Sequence, residues 1–125
     1  MRWMLVAAMA VFVSGSMVSA HHSYAGFEQT PITVSVQVES LAITNPHSLI
    51  HVVADDGRKY VGVWPAPNAL MRRGIKLEGE GSVWELLPRG QRVTMTGRVK
   101  RGDTELPMLV SRIEHPVRGL IWGSR

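Results

Sequence analysis

Ile32-Thr33-Val34-Ser35-Val36-Gln37-Val38-Glu39 is the stretch that decides how the rest of this chain is read. Branched apolar residues alternate with polar ones, the period of two that marks a strand with one face buried and one face wet. After Ser40 the apolar positions move to Leu41 and Ile43. A parity slip of one residue is what a bulge or sharp bend in a long first strand produces.

Working outward, Thr44-Asn45-Pro46-His47 reads as a turn, and Ser48 to Ala54 is apolar on both faces, as in an interior strand. Asp55-Asp56-Gly57 supplies a tight turn into Lys59–Trp64, so the second and third strands should form a hairpin. Pro67 and Gly74 bracket Asn68-Ala69-Leu70-Met71-Arg72-Arg73, a short helix with proline at its start and glycine past its end. From Ile75 to Trp84 the glycines predict a loop, with Trp84-Glu85-Leu86-Leu87 packing back on the body. Pro88-Arg89-Gly90 turns the chain into a strand carrying Val93, Met95 and Val99, and Arg101-Gly102-Asp103 turns it again so that Leu106 to Glu114 returns. Three strands, a short helix and two strands is the order of an all-β, five-stranded Greek-key barrel of the oligonucleotide/oligosaccharide-binding (OB) type, its single helix between strands 3 and 4.

Ahead of the barrel lies an export signal. Arg2 is followed by an apolar run from Leu5 to Val13, a Ser14-Gly15-Ser16 break and the small-residue site Val18-Ser19-Ala20. The run is about half the ~20 residues of a spanning helix. The reading is therefore a cleaved signal over residues 1–20 and one barrel domain over residues 21–125, without a stable membrane span after cleavage and destined for a bacterial periplasm or the exterior. The chain has 125 residues and no cysteine, so packing alone must hold it together, and thiolate metal sites and disulfide chemistry are excluded. Its formal charge of +4 is mildly basic, and one of those charges leaves with Arg2.

Cleavage after Ala20 makes His21 the first residue, with His22 beside it. An amino-terminal histidine offers a metal its α-amine and its imidazole as a chelate, and neutral nitrogen donors suit copper(II) above other divalent ions. His47, in the turn between the first two strands, is the candidate for a further ligand supplied by the fold. His51 shares strand parity with Leu49 and Val53 and reads as a semi-buried, hydrogen-bonded structural residue, and His115 reads as surface. Met71, Met95 and Met108 are soft donors in principle, but Met95 shares a face with Val93 and Val99 and belongs to the core.

Arg98, Lys100, Arg101 and Arg112 gather on the last hairpin, preceded by Arg89 and Arg92. On an exported barrel such a surface meets anionic glycan, lipid or protein rather than nucleic acid. No paired nucleophile and base or facing carboxylates occur, so a binding protein is expected rather than an enzyme. Two readings follow. The first is a barrel that binds copper(II) or a similar metal through His21 with His22 or His47. The second is a metal-free envelope accessory or stress protein that binds an anionic partner through the last hairpin. An oxidative copper enzyme is a smaller third.

The chain resembles a family of small exported bacterial proteins of unknown function. The likeness runs through His21-His22-Ser23-Tyr24, the Asn45-Pro46-His47-Ser48 turn, the Pro67-Asn68-Ala69-Leu70-Met71-Arg72-Arg73-Gly74 helix, Leu86-Leu87-Pro88-Arg89-Gly90 and Val93-Thr94. Ala66 departs from it, standing where a serine cap is expected, and alanine cannot accept the first-turn amide bonds. The segment after Gly74 is also longer and richer in glycine. The resemblance implies export and the barrel, and draws attention to His21, His22 and His47, without implying an activity.

Overall fold

The computed structural model describes residues 25–102 and 104–124. The proposed signal, His21 and His22 lie outside the described residues. In chain order the elements are β1 (Ile32–Ala42), β2 (Ser48–Ala54), β3 (Lys59–Trp64), α1 (Pro67–Arg72), α2 (Val83–Leu86), β4 (Arg92–Val99), β5 (Glu105–His115) and β6 (Gly119–Trp122).

The first strand behaves as its pattern demands. Val36 and Val38 are buried and Ser35 and Gln37 face solvent. Residues 32–37 pair with β4, and Val36 to Ala42 pair with β2, so one long strand serves both halves of the sheet. Opposite Val38 stands Val52 and opposite Ser40 stands His51, which leaves Glu39 as the extra residue of a bulge where the parity slips. At the same place Val38 trades backbone bonds with the turn before β4, its N–H donating to Gln91 and its carbonyl accepting from Gly90.

The sheet runs β3-β2-β1-β4-β5, and a parallel pairing of β3 with β5, from Lys59↔Glu105 to Val63↔Leu109, closes it into a five-stranded mixed barrel. Two glycines let the strands approach. A Cβ on Gly97 would collide with the Leu109 carbonyl and lie 2.6 Å from Met108 Cγ, and one on Gly62 would lie 2.8 Å from Met95 Cε. Inside, Val36, Ile50, Val52, Val93, Met95 and Met108 form the centre of the core. Met95 is therefore a core residue, whereas Met71 is about half exposed. Each fully buried aliphatic side chain contributes roughly 1.5–3 kcal/mol relative to exposure.

α1 lies between β3 and β4 and drives Leu70 into the core, with Pro67 at its first turn and no side-chain cap from Ala66. Its end is closed by Gly74 N–H on the Met71 carbonyl and Ile75 N–H on the Leu70 carbonyl. The described structure adds two elements to those expected. A second, single-turn helix, α2, interrupts the predicted loop: the Ser82 carbonyl accepts the amides of Glu85 and Leu86, Ser82 gives no side-chain cap, and the Glu85 carboxylate accepts Gly81 N–H at 2.9 Å. Val83 and Leu87 pack inward from it, but Trp84 stays 49% exposed, its indole N–H donating to the Leu77 carbonyl. Beyond β5 the chain turns once more into β6, which pairs along Ile113–His115 and brings Trp122 into the core.

Candidate ligand cleft

The turn from β1 to β2 is tied by Thr44 Oγ1, which donates to the His47 carbonyl at 3.1 Å, and the Asn45–Pro46 peptide within it is cis. His47 is exposed, and the next residue, Ser48, is fully buried at the start of β2. Strand register sets Ser48 opposite Trp64, the last residue of β3. Trp64 is 1% exposed and meets Trp122 edge to face, with centroids 5.3 Å apart, and the Arg73 guanidinium lies 3.9 Å over Trp122. Ser48 Oγ and Trp64 Nε1 are buried without a hydrogen-bond partner among the described residues.

Around this point opens a cleft of about 600 Å³. One wall stands at the parallel seam, with Val63 from β3 and Leu109 and Val110 from β5. Pro46 and His47 form one rim, Pro65 and Ala66 another. Phe27 completes it, held there because its segment runs beside β4: Phe27 bridges Lys100, and Glu28 N–H donates to the Val99 carbonyl. A mostly apolar cleft with a few polar groups is the ordinary build of a small-ligand site.

Of the residues singled out from sequence, His47 stands at this rim. Among the described residues no three His, Asp or Glu side chains converge as a metal cluster. His51 is half-buried as expected, but it faces outward and its ring makes no hydrogen bond among the described residues. His115 is half-buried rather than plain surface: its Nδ1 accepts the N–H groups of Val117 and Arg118, each at 3.1 Å, and so shapes the turn into β6. That requires the neutral tautomer protonated on Nε2.

The basic residues divide. Arg98 Nε donates to the Glu28 carbonyl at 2.8 Å and Arg101 pairs with the Glu28 carboxylate at 3.0 Å, while the Lys100 stem runs along Gly26. These three gather on the segment that leads to Phe27. Arg112 is engaged by Glu114 and by the Ser124 carbonyl, and Arg92 by Asp55 and Ser35. Exposed pairs of this kind contribute about 0–1 kcal/mol each, so they orient side chains more than they stabilise. Phe27 is not recognisable as a cleft residue from sequence, because it carries no motif and its meeting with Trp64 depends on barrel closure.

The pattern of DUF6152, a family of unknown function, matches residues 10–106. The chain belongs to the DUF6152 family. The match takes in β1 to β4 and the start of β5, and therefore the Asn45-Pro46-His47 turn and both short helices of this DUF6152 protein. No curated protein matches it. Among solved structures, "OBody AM3L09 bound to hen egg-white lysozyme" is similar at 17% identity with a TM-score of 0.48, over 78% of this chain and 86% of that chain. Among the described residues no helix is long and apolar enough to cross a membrane.

Proposed function

We propose that this DUF6152 protein is an exported, non-enzymatic barrel that binds a copper(II)-class metal through the α-amine and imidazole of His21, with His22 and His47 as further nitrogen donors. One observation carries the reading: Phe27 and His47 line the same cleft. The chain from His21 to Phe27 can extend no more than about 20 Å, so the amino terminus of a chain cleaved after Ala20 is tethered within reach of His47. A free His-His peptide also binds copper(II), so the protein-specific claim is the contribution of His47 from an ordered turn.

The test is a copper(II) titration of protein exported and processed to begin at His21, with a spectroscopic readout of nitrogen ligation. Intact mass first checks the cleavage site. The processed protein is expected to bind one copper(II) at least tenfold more tightly than a His-His-Ser peptide, and His21→Ala and His47→Ala each to lose most of that gain. His115→Ala should keep it. Affinity should fall with acid as protons compete for the donor nitrogens. Peptide-like affinity, or indifference to His47→Ala, would overturn the reading.

A further inference from the structure

We propose that a second cleft, between the connection from α1 to α2 and the turn from β5 to β6, binds a free single-chain amphiphile with one anionic head, of the medium-chain carboxylate kind. This inference does not rest on the copper reading and concerns another part of the barrel. The cleft measures about 270 Å³. That is just below the ~300–1,000 Å³ of pockets for drug-sized ligands, and it suits one short hydrocarbon chain rather than a two-chain lipid.

Its walls are apolar on both sides, Ile75, Val83 and Leu86 facing Leu120 and Ile121. Two cations complete the lining from opposite elements, Lys76 before α2 and Arg118 in the β5–β6 turn. Neither has an ion-pair partner among the described residues, in contrast to Arg58, Arg92, Arg101 and Arg112. Glu85, beside this lining, turns its carboxylate onto Gly81 N–H, while Glu78 and Glu80 stand exposed on the same connection. Arg73, just ahead of Gly74, adds positive charge nearby while it rests on Trp122.

The backbone that carries each cation is anchored by a hydrogen bond. The Lys76 carbonyl accepts Val83 N–H at 2.8 Å, and Arg118 N–H is held by His115 Nδ1. An apolar slot flanked by two unpaired cations on anchored backbone is complementary to a hydrocarbon tail ending in an anion. The tail supplies the burial and the head meets both charges.

Octanoate is the probe, titrated into the full chain by calorimetry and by methyl NMR. Binding should be one to one, with shifts on the methyl groups of Ile75, Val83, Leu86, Leu120 and Ile121. Acetate and 1-octanol should each bind at least tenfold more weakly, since each lacks one half of the ligand. The double variant Lys76→Glu/Arg118→Glu should lose at least tenfold in octanoate affinity, and Arg89→Glu should not. Both substituted side chains are exposed, so melting temperatures should be preserved; the milder Lys76→Gln/Arg118→Gln should fall between. No binding, equal binding of 1-octanol, indifference to the charge variants, or shifts confined to Val63, Leu109 and Val110 would overturn the proposal. So would retention on phosphatidylglycerol vesicles that octanoate does not release, which would point to a membrane surface instead.

Discussion

Gly97 and Gly62 look alike in the sequence, each a glycine inside a strand, but the structure ranks them. At Gly97 an added methyl group runs into the Leu109 backbone, which cannot turn aside. At Gly62 the closest atom is the mobile end of Met95, with Val110 Cγ2 at 2.9 Å. Overpacking usually costs about 1–3 kcal/mol, so Gly62→Ala is expected in that range and Gly97→Ala above it. Urea denaturation of the two variants checks the order, and equal losses would contradict it. The histidines show where single-residue reading stops. The half-burial of His51 follows from strand parity, but parity alone did not give its outward face or the lack of a ring partner. The part His115 plays depends on two amides that approach its ring after the chain has turned, which spacing does not reveal.

Among the elements, α1 shows which interaction decides. Its first turn has no side-chain cap, and a cap adds about 1 kcal/mol, so Ala66→Ser should stabilise the protein by roughly that amount. Leu70→Ala empties the one position that α1 buries and should cost about 2–5 kcal/mol. Thermal melts of both variants test the contrast: the anchor should outweigh the cap severalfold. The five barrel strands and α1 were legible because each carries a period, a turn signal or a proline and glycine bracket. α2 carries only a weak signal: Ser82-Val83-Trp84-Glu85 has the spacing of a capping box, but the box is not formed, since Ser82 gives no side-chain cap and Glu85 turns to Gly81 N–H. β6 is four residues long, too short for periodicity to speak, and it exists because Ile113–His115 offer an edge to pair with.

At the scale of the molecule, the barrel was readable from element order, whereas the cleft was not. His47 could be placed in a turn, but its neighbours Phe27, Val63 and Leu109 come from three separate stretches that closure brings together. The seam responsible joins residues 59–63 to residues 105–109, with the helices and β4 in between. Contacts so distant in sequence must overcome the entropy of a long loop before they return any stability, which places them late in folding. A chain still emerging from synthesis has β1, β2 and β3 well before β5 arrives, and without β5 the wall of Leu109 and Val110 is missing. A ligand that filled that cleft would therefore recognise finished molecules and not partial ones. By binding the closed form alone it would add RT ln(1 + [L]/Kd) to the stability of the barrel, drawing late-closing chains toward completion.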